Sequence, residues 1–125
     1  MMFFERAGGK FVERTEDKVV LVTPVTDEVL QPQGILHGGV SAYLAESVAS
    51  EAGNFALDRE KEFVVGLDLT STHLLPVQLG DTIRSVATPV RRGGRIQVWK
   101  VEQFRESDGA LFNVSQLTTY VKRAH

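Results

Sequence analysis

A single segment, residues 39–56, constrains the fold more than any other part of the chain. Its apolar residues recur at intervals of three and four, and the positions between them carry mostly small residues. The apolar stripe consists of Val40, Leu44, Val48, Ala52 and Phe55. This period predicts a helix, and the small residues allow other backbone to approach its remaining faces. We therefore predict one long helix that neighbouring elements enclose on most sides.

Segments typical of β-strands flank this helix along the chain. Residues 18–23 are apolar and β-branched, and the glycine pair at positions 8 and 9 indicates a turn before the first strand. Residues 26–36 are interpreted as an ordered loop. After the helix, strands are predicted at residues 63–74, 81–90, 95–104 and 111–121, and short turns between the last three favour an antiparallel meander. One long helix with five or six strands is an α+β arrangement.

Composition excludes several classes of function. The 125 residues fit one domain, 1–125, and the net charge of −2 gives no indication of a nucleic-acid partner or an anionic membrane. No apolar stretch is long enough to span a bilayer or to form the core of a signal peptide. The sequence has no cysteine, which excludes disulfides, thiol nucleophiles and thiolate metal sites. We expect a cytoplasmic protein without membrane association.

Two polar features of the predicted helix are not explained by packing. Glu46 lies at its centre among alanines, where an enclosed carboxylate needs a reason, although an exposed stripe of the helix would also accommodate it. His37, Gly38 and Gly39 lie at its start. Uncovered N–H groups and the helix dipole attract negative charge there and can stabilise an oxyanion. The alternative is a tight glycine turn with a packed histidine.

The spacing of these two features sets a geometric condition. Gly38 and Glu46 are eight residues apart, which is about 12 Å along a helix at roughly 1.5 Å per residue. A glutamate side chain cannot cover that distance along its own helix. If both groups act on one carbonyl, Glu46 must therefore come from a second subunit, and the chemistry requires a dimer.

Other catalytic arrangements fit the sequence less well. His37, Glu46 and His73 are possible metal ligands, but their spacing matches no compact metal motif. The sequence contains neither a serine nucleophile elbow nor a glycine-rich phosphate loop. The basic cluster Arg91-Arg92-Gly93-Gly94-Arg95 lies at a predicted turn. It suits a phosphate group, or it is a solvated hairpin tip.

Taken together, the segments QPQGILHGG (31–39) and LAES (44–47) resemble the hotdog-fold acyl-CoA thioesterases. The resemblance is greatest to the aryl-CoA branch, which includes 1,4-dihydroxy-2-naphthoyl-CoA thioesterases of menaquinone biosynthesis and thioesterases of the phenylacetic acid pathway. It extends from about residue 10 to residue 121. It implies a hotdog fold, in which a curved antiparallel sheet of five to six strands wraps around one central helix.

The same resemblance implies hydrolysis of an aromatic acyl-CoA to a carboxylic acid and coenzyme A. No metal and no cofactor is implied, since coenzyme A is part of the substrate. The expected assembly is a homo-oligomer, in which a dimer completes the site and a tetramer is common. A hotdog hydratase or dehydratase acting on a hydroxyacyl thioester and a non-catalytic acyl-CoA-binding module are the alternatives.

Residue roles follow from the resemblance at matching positions. The Gly38 amide would polarise the thioester carbonyl, and Gln31 and His37 would help to orient it. Glu46 of the partner subunit would act as nucleophile or general base, and Ser50 would help to hold the hydrolytic water. The expected substrate-binding residues are His73, Val65 and Gly66 at the acyl pocket, and Arg91, Arg92, Gly93, Gly94 and Arg95 at the nucleotide end of coenzyme A.

One expected departure from the family concerns the N-terminal end. Relatives carry an additional helix before the first strand, and this chain is expected to lack it. Because that helix helps to cover the acyl site, the pocket is expected to be more open here.

Overall fold

The computed structural model describes residues 1–124. Its strands are β1 (Lys10–Arg14), β2 (Val19–Pro24), β3 (Glu62–His73), β4 (Thr82–Arg92), β5 (Ile96–Arg105) and β6 (Leu111–Arg123). Its helices are α1 (Phe3–Arg6), a short 3-10 helix (Asp27–Val29) and α2 (Gly38–Phe55). All strands belong to one antiparallel sheet of order β1-β2-β4-β5-β6-β3. The predicted α+β hotdog fold is confirmed.

The central helix packs on one face of this sheet. Helix α2 contacts β2, β3, β4, β5 and β6, and it buries Ser41, Leu44, Ala45, Val48, Ala49, Ala52 and Gly53. Gly53 is needed for close packing, since a Cβ there would lie 3.2 Å from a methyl group of Val64. The predicted stripe is therefore buried at its centre, whereas Phe55 at its end is 43% exposed.

The prediction that the helix is enclosed on most sides is wrong for a single chain. The side of α2 that carries Glu46 is uncovered except at the edge strand β3, and Glu46 is exposed. The reason is that one sheet covers only one side of a helix. Ala45, Ala49 and Gly53 are buried, whereas Ala42 and Ser50, one turn on either side of Glu46, remain accessible to a second layer.

The N-terminal segment differs from the expectation as well. Helix α1, of four residues, does precede the first strand, so the expected absence of such a helix is wrong. Its Phe4 ring lies 5.3 Å from the Phe11 ring of β1. The turn at the glycine pair is confirmed, because a Cβ on Gly9 would lie 2.7 Å from the Phe4 carbonyl oxygen. The N-terminal segment is thus folded against the side of the molecule where Glu46 is exposed.

Strand β3 forms the far edge of the sheet and pairs only with β6. It is 12 residues long, and its ladder is interrupted by a bulge between Gly66 and Asp68. Leu67, within the bulge, is 57% exposed. The chain therefore presents a long, partly apolar strand edge whose backbone groups have no partner within the sheet.

Candidate active site

The start of α2 is shaped by a histidine cap and two glycines. The Nδ1 atom of His37, the N-cap residue, accepts a hydrogen bond from the Gly39 N–H at 2.8 Å. The Gly38 N–H, the first of the helix, has no hydrogen-bond acceptor within the described chain. A free amide at the positive end of an 18-residue helix is suited to bind a developing negative charge.

His73, at the end of β3, closes one side of this helix start. A Cβ on Gly38 would lie 2.8 Å from His73 Nε2, so only glycine allows the helix to begin this close to the imidazole. Gln31 lies on the same cavity, whose volume is about 340 Å³. The side-chain oxygen of Gln31 accepts the Gln33 N–H and thereby stabilises the turn that leads to the helix. Gln31 and Gly38 thus lie on one cavity, His73 joins them there although it was expected beside Val65 and Gly66, and the His37 ring is turned to its own helix.

Glu46 lies on a different cavity, of about 970 Å³. Its Oε2 atom lies 2.5 Å from the position that a Cβ on Gly66 would take, so the carboxylate sits directly against β3 at the bulge. Glu46 forms no ion pair with any described residue. Ser50, one turn further along the helix, lines the same cavity as predicted. The carboxylate is thus positioned by packing rather than by a charged partner.

Most residues of the Glu46 cavity had no signal in the sequence. Three aromatic side chains line one side of it, namely Phe4, Phe11 and Tyr43, and of these only Tyr43 was a candidate for an aromatic pocket or for the core. Another side carries Glu51, whose carboxylate lies 3.5 Å from Arg14 and 2.5 Å from Arg59. These residues come from α1, β1, α2 and the loop after α2, and only a three-dimensional arrangement brings them together.

The two cavities are separate within one chain. No residue lines both of them, because Gly38 and Glu46 face outward two turns apart on α2. The predicted acyl-pocket residues are divided in the same way. His73 lies beside Gly38, Gly66 contacts Glu46, and Val65 lies on a third cavity of about 550 Å³. Within a single chain, the predicted site residues are thus divided among separate cavities.

The basic cluster at the β4–β5 turn is also divided. The Arg92 guanidinium lies 5.5 Å from the centre of the Trp99 ring and 3.9 Å from the carboxylates of Glu16 and Asp17. Arg95 donates to the Val121 carbonyl at 2.9 Å and lines the third cavity. A bulge between Pro89 and Arg91 lies in β4 just before this cluster. Arg91 and Gly94 are exposed beside them.

Arg95 has two cationic neighbours that the sequence did not suggest. Lys122 and Arg123, at the end of β6, line the third cavity together with Arg95 and Tyr120. Gly93 closes the adjacent turn, where a Cβ would lie 2.5 Å from the Ile96 carbonyl oxygen. Three cationic side chains around one concave surface can bind a phosphate group.

Two carboxyl groups with altered pKa values lie outside these cavities. Burial raises the pKa of Asp81, but hydrogen bonds from the Ser107 hydroxyl and from the N–H groups of Thr82 and Ser107 outweigh it, so this pKa lies below its usual range. Hydrogen bonds from Arg105 lower the pKa of Asp108. Both carboxylates stabilise the turn between β5 and β6.

The described residues contain no group of three or more histidine, aspartate or glutamate side chains that is arranged to hold a metal ion. Within residues 1–124, no helix is both long and apolar enough to cross a membrane.

Comparison with known proteins yields consistent similarities. A sequence profile described as the thioesterase superfamily matches residues 33–111. The 1,4-dihydroxy-2-naphthoyl-CoA hydrolase of Escherichia coli K12 is 38% identical over 112 residues, which cover 90% of this chain and 80% of that protein. A Haemophilus influenzae protein provisionally named an esterase is 43% identical over 106 residues, 85% of this chain and 75% of its own length.

A crystal structure of a thioesterase from Haemophilus influenzae has the same fold. It superimposes with a TM-score of 0.87 at 39% identity, and the match covers 95% of this chain and 81% of that one. The similarity therefore extends over nearly the whole chain.

Proposed function

The chain belongs to the thioesterase superfamily and is a thioester hydrolase, and we propose that it hydrolyses aromatic acyl-CoA thioesters in a site completed by a second subunit. The observation that carries this proposal is the separation of Gly38 and Glu46. Each lies on its own cavity, each is accessible, and neither can reach the other within one chain. A site that uses both groups needs Gly38 from one subunit and Glu46 from another.

The edge strand β3 supports a specific dimer. Gly66 and the bulge next to it lie beside Glu46, and the unpaired edge of β3 is free to pair with a second copy of itself. Antiparallel pairing of two β3 strands would continue the sheet and bring the exposed faces of two α2 helices towards each other. Small residues on these faces would allow the helices to approach closely. The doubling of such a dimer to a tetramer is part of the same proposal.

The proposed reaction begins with the thioester carbonyl at the start of α2. The Gly38 N–H and the helix dipole polarise the carbonyl oxygen and stabilise the negative charge that develops on it. Glu46 of the partner subunit then acts in one of two ways. As a nucleophile it attacks the carbonyl carbon, the C–S bond breaks, and water hydrolyses the resulting acyl-glutamate anhydride to the carboxylic acid and the free Glu46 carboxylate. As a general base it removes a proton from a water that attacks the carbonyl carbon, and the C–S bond breaks to give the carboxylic acid directly. In both routes the coenzyme A thiolate is protonated as it leaves. Ser50 lines the same cavity as Glu46, which supports a role in holding the water.

An aromatic acyl group is supported by the walls of the Glu46 cavity. Phe4, Phe11 and Tyr43 offer ring faces and edges, and aromatic side chains pack favourably against a planar aromatic ring. The similarity to a 1,4-dihydroxy-2-naphthoyl-CoA hydrolase favours a hydroxylated naphthoyl group. Such a substrate would place the reaction in menaquinone biosynthesis in the cytoplasm.

The nucleotide end of coenzyme A is assigned to the third cavity. Arg95 lies there with Lys122 and Arg123. Its guanidinium has one carboxylate at 3.9 Å, that of Glu62, whereas Arg92 has two carboxylates at 3.9 Å, those of Glu16 and Asp17. A phosphate group is bound more strongly where several cations surround it and fewer carboxylates compete for them. Of the predicted basic residues, Arg95 therefore has the strongest support.

Thiol release from a panel of acyl-CoA substrates tests the function directly. We expect 1,4-dihydroxy-2-naphthoyl-CoA and other aryl-CoAs to be hydrolysed faster than long aliphatic acyl-CoAs. Glu46→Gln should abolish most of this activity, whereas the same change at Glu60, in the exposed loop after α2, should not. Equal rates on aliphatic chains would contradict the aromatic assignment. Hydration of enoyl-CoA without thiol release, or binding without turnover, would contradict hydrolysis itself.

A further inference from the structure

A closed polar network lies behind Gly38, and the proposed mechanism has not used it. It consists of two cross-strand pairs, His73 opposite Asn113 and Ser71 opposite Ser115. The Asn113 amide nitrogen lies 2.9 Å from His73 Nδ1 and 3.0 Å from Ser71 Oγ. The Ser115 hydroxyl lies 2.6 Å from Asn113 Oδ1 and 2.8 Å from Ser71 Oγ. Asn113 is 0% exposed, so its amide depends on these partners alone.

The network can satisfy every one of its donors. The two N–H bonds of the Asn113 amide are directed to His73 Nδ1 and Ser71 Oγ. The Asn113 oxygen accepts from the Ser115 hydroxyl, which leaves the Ser71 hydroxyl to donate to Ser115 Oγ. In this arrangement His73 Nδ1 can only be an acceptor. Neutral imidazole has one donor and one acceptor nitrogen, so the proton of His73 must be on Nε2.

We propose that Asn113 is a positioning residue that holds neutral His73 in the Nε2–H form, so that His73 supplies a second hydrogen bond to the thioester group bound at Gly38. The placement of the two groups supports this step, because His73 Nε2 lies 2.8 Å from where a Cβ on Gly38 would be. A donor there strengthens the stabilisation of the oxyanion. The opposite tautomer would direct a lone pair at the same oxygen and repel it. The inference rests on the proposed hydrolysis.

The other histidine at the helix start provides an internal reference. His37 Nδ1 accepts from the Gly39 N–H at 2.8 Å, so neutral His37 is also expected in the Nε2–H form. Its partner is backbone and does not change in side-chain variants of Asn113. His37 should therefore keep its tautomer in every variant of the experiment below.

The tautomer of His73 is measured by long-range ¹H–¹⁵N correlation spectra of histidine-labelled protein, at about pH 8.5, well above the usual imidazole pKa of about 6.5. The His73 signals are assigned from a His73→Gln variant. We expect the Nε2–H pattern in the unaltered protein. Asn113→Asp has the same shape, but its carboxylate only accepts, so His73 should change to the Nδ1–H pattern while His37 does not. The Nδ1–H pattern at His73 in the unaltered protein would overturn the inference without any variant.

Kinetic measurements distinguish a positioning role of Asn113 from a general contribution of Asn113 to the stability of the fold. Asn113→Asp should lower kcat for thiol release roughly tenfold to a hundredfold, as expected when one oxyanion donor is lost, with a smaller change in KM. Glutamine at position 73 carries a fixed N–H donor and has no tautomers. In the His73→Gln background, Asn113→Asp should therefore have little further effect on kcat. Equal losses of kcat in both backgrounds would overturn the inference.

The failure of this inference can be told apart from the failure of the proposed hydrolysis. The spectra report the His73 proton without any turnover, whereas the Glu46→Gln variant tests hydrolysis without reference to Asn113. An Nδ1–H pattern at His73, together with a large loss of thiol release in Glu46→Gln, would reject the role of Asn113 and leave the proposed hydrolysis intact.

Discussion

The carboxylate of Glu46 occupies the space that a side chain at Gly66 would need, since Glu46 Oε2 lies 2.5 Å from the position of a Cβ there. The edge strand β3 and the Glu46 carboxylate are therefore in close contact, and the absence of a side chain at Gly66 makes this contact possible. Because Gly66 has no positive φ, a methyl group at this position would strain the contact with Glu46 and leave the backbone conformation allowed. Gly66 acts as a spacer that sets where the carboxylate points.

Replacing Gly66 with alanine should displace the carboxylate and reduce catalysis. We expect kcat to fall by roughly a hundredfold, since a displacement of about 1 Å can have that effect. Thermal unfolding and oligomeric state should change little. Glu46→Asp, with its shorter side chain, should lose less activity in the Gly66→Ala background than in the unaltered protein. Additive losses in the double variant would contradict the spacer role.

Mixing two inactive variants should restore activity if the site is shared between subunits. Gly38→Ala introduces a methyl group 2.8 Å from His73 Nε2, and Glu46→Gln removes the carboxylate, so each variant alone should be nearly inactive. Random reassembly makes half of the dimers mixed, with one intact site of two. The recovered activity should approach about a quarter of the unaltered rate. A mixture as inactive as its components would show that each chain acts alone.

The charged residues that line one side of the Glu46 cavity should select against aliphatic acyl groups. Glu51, whose side chain is 17% exposed, pairs with Arg14 and Arg59, and an aliphatic chain packed against these groups would remove their water without replacing its hydrogen bonds. Glu51→Leu should therefore shift the ratio of kcat/KM for 1,4-dihydroxy-2-naphthoyl-CoA against a long aliphatic acyl-CoA by about tenfold towards the aliphatic one. An unchanged ratio would show that Glu51 does not affect the choice of acyl group.

Lys122 should contribute to binding of the nucleotide end. Lys122→Met is expected to raise KM for acyl-CoA severalfold at low ionic strength, and less at high ionic strength because salt screens the interaction. It should not raise KM for an acyl-pantetheine, which has no nucleotide. Lys100→Met is the matched control, since Lys100 lies on β5 beside Glu102. Equal effects on both substrates would exclude a phosphate contact.

The stability of the β5–β6 turn should depend on the charge of Asp81. Its pKa is lowered in the folded chain, so it stabilises the fold above the unfolded pKa of about 3.9, and this contribution is lost as the pH falls through the folded pKa. Asp81→Asn should lower the free energy of unfolding by about 1 kcal/mol at neutral pH, where charged hydrogen bonds are lost. Urea unfolding should show this difference at pH 7, and the difference should shrink as the pH falls through the lowered folded-state pKa of Asp81. Asp17→Asn, at an exposed side chain, should have little effect at either pH.

Long periodic segments made most of the fold predictable. Helix α2 and the strands β2 to β6 were predicted within a few residues of their bounds, because each repeats its apolar pattern over many residues. Strand β1 was missed, since its KFVER sequence alternates with charges at an exposed edge. Helix α1 was missed because four residues carry no period.

Only the part of the candidate site that lies within one sequence motif could be predicted. The segment from Gln31 to Glu46 contains both proposed catalytic groups, Gly38 and Glu46, so their separation along the helix could be calculated. Asn113 could not be identified, because its partner His73 is 40 residues away and an isolated asparagine in a strand has no pattern. The division of the arginines could not be predicted either, because Arg92 and Arg95 have partners that are distant in the sequence, Glu16 and Asp17 for Arg92 and Val121 for Arg95.

The position of helix α1 has a practical consequence for the preparation of this protein. Met2 and Phe4 line the Glu46 cavity, and α1 buries none of its residues. A purification tag joined to Met1 would therefore lie at the mouth of that cavity, held only by a short helix that is easily displaced. Rates measured with such a tag would reflect its effect on substrate access as well as the activity of the protein. Protein for kinetic measurements should carry the tag at the other end or have it removed.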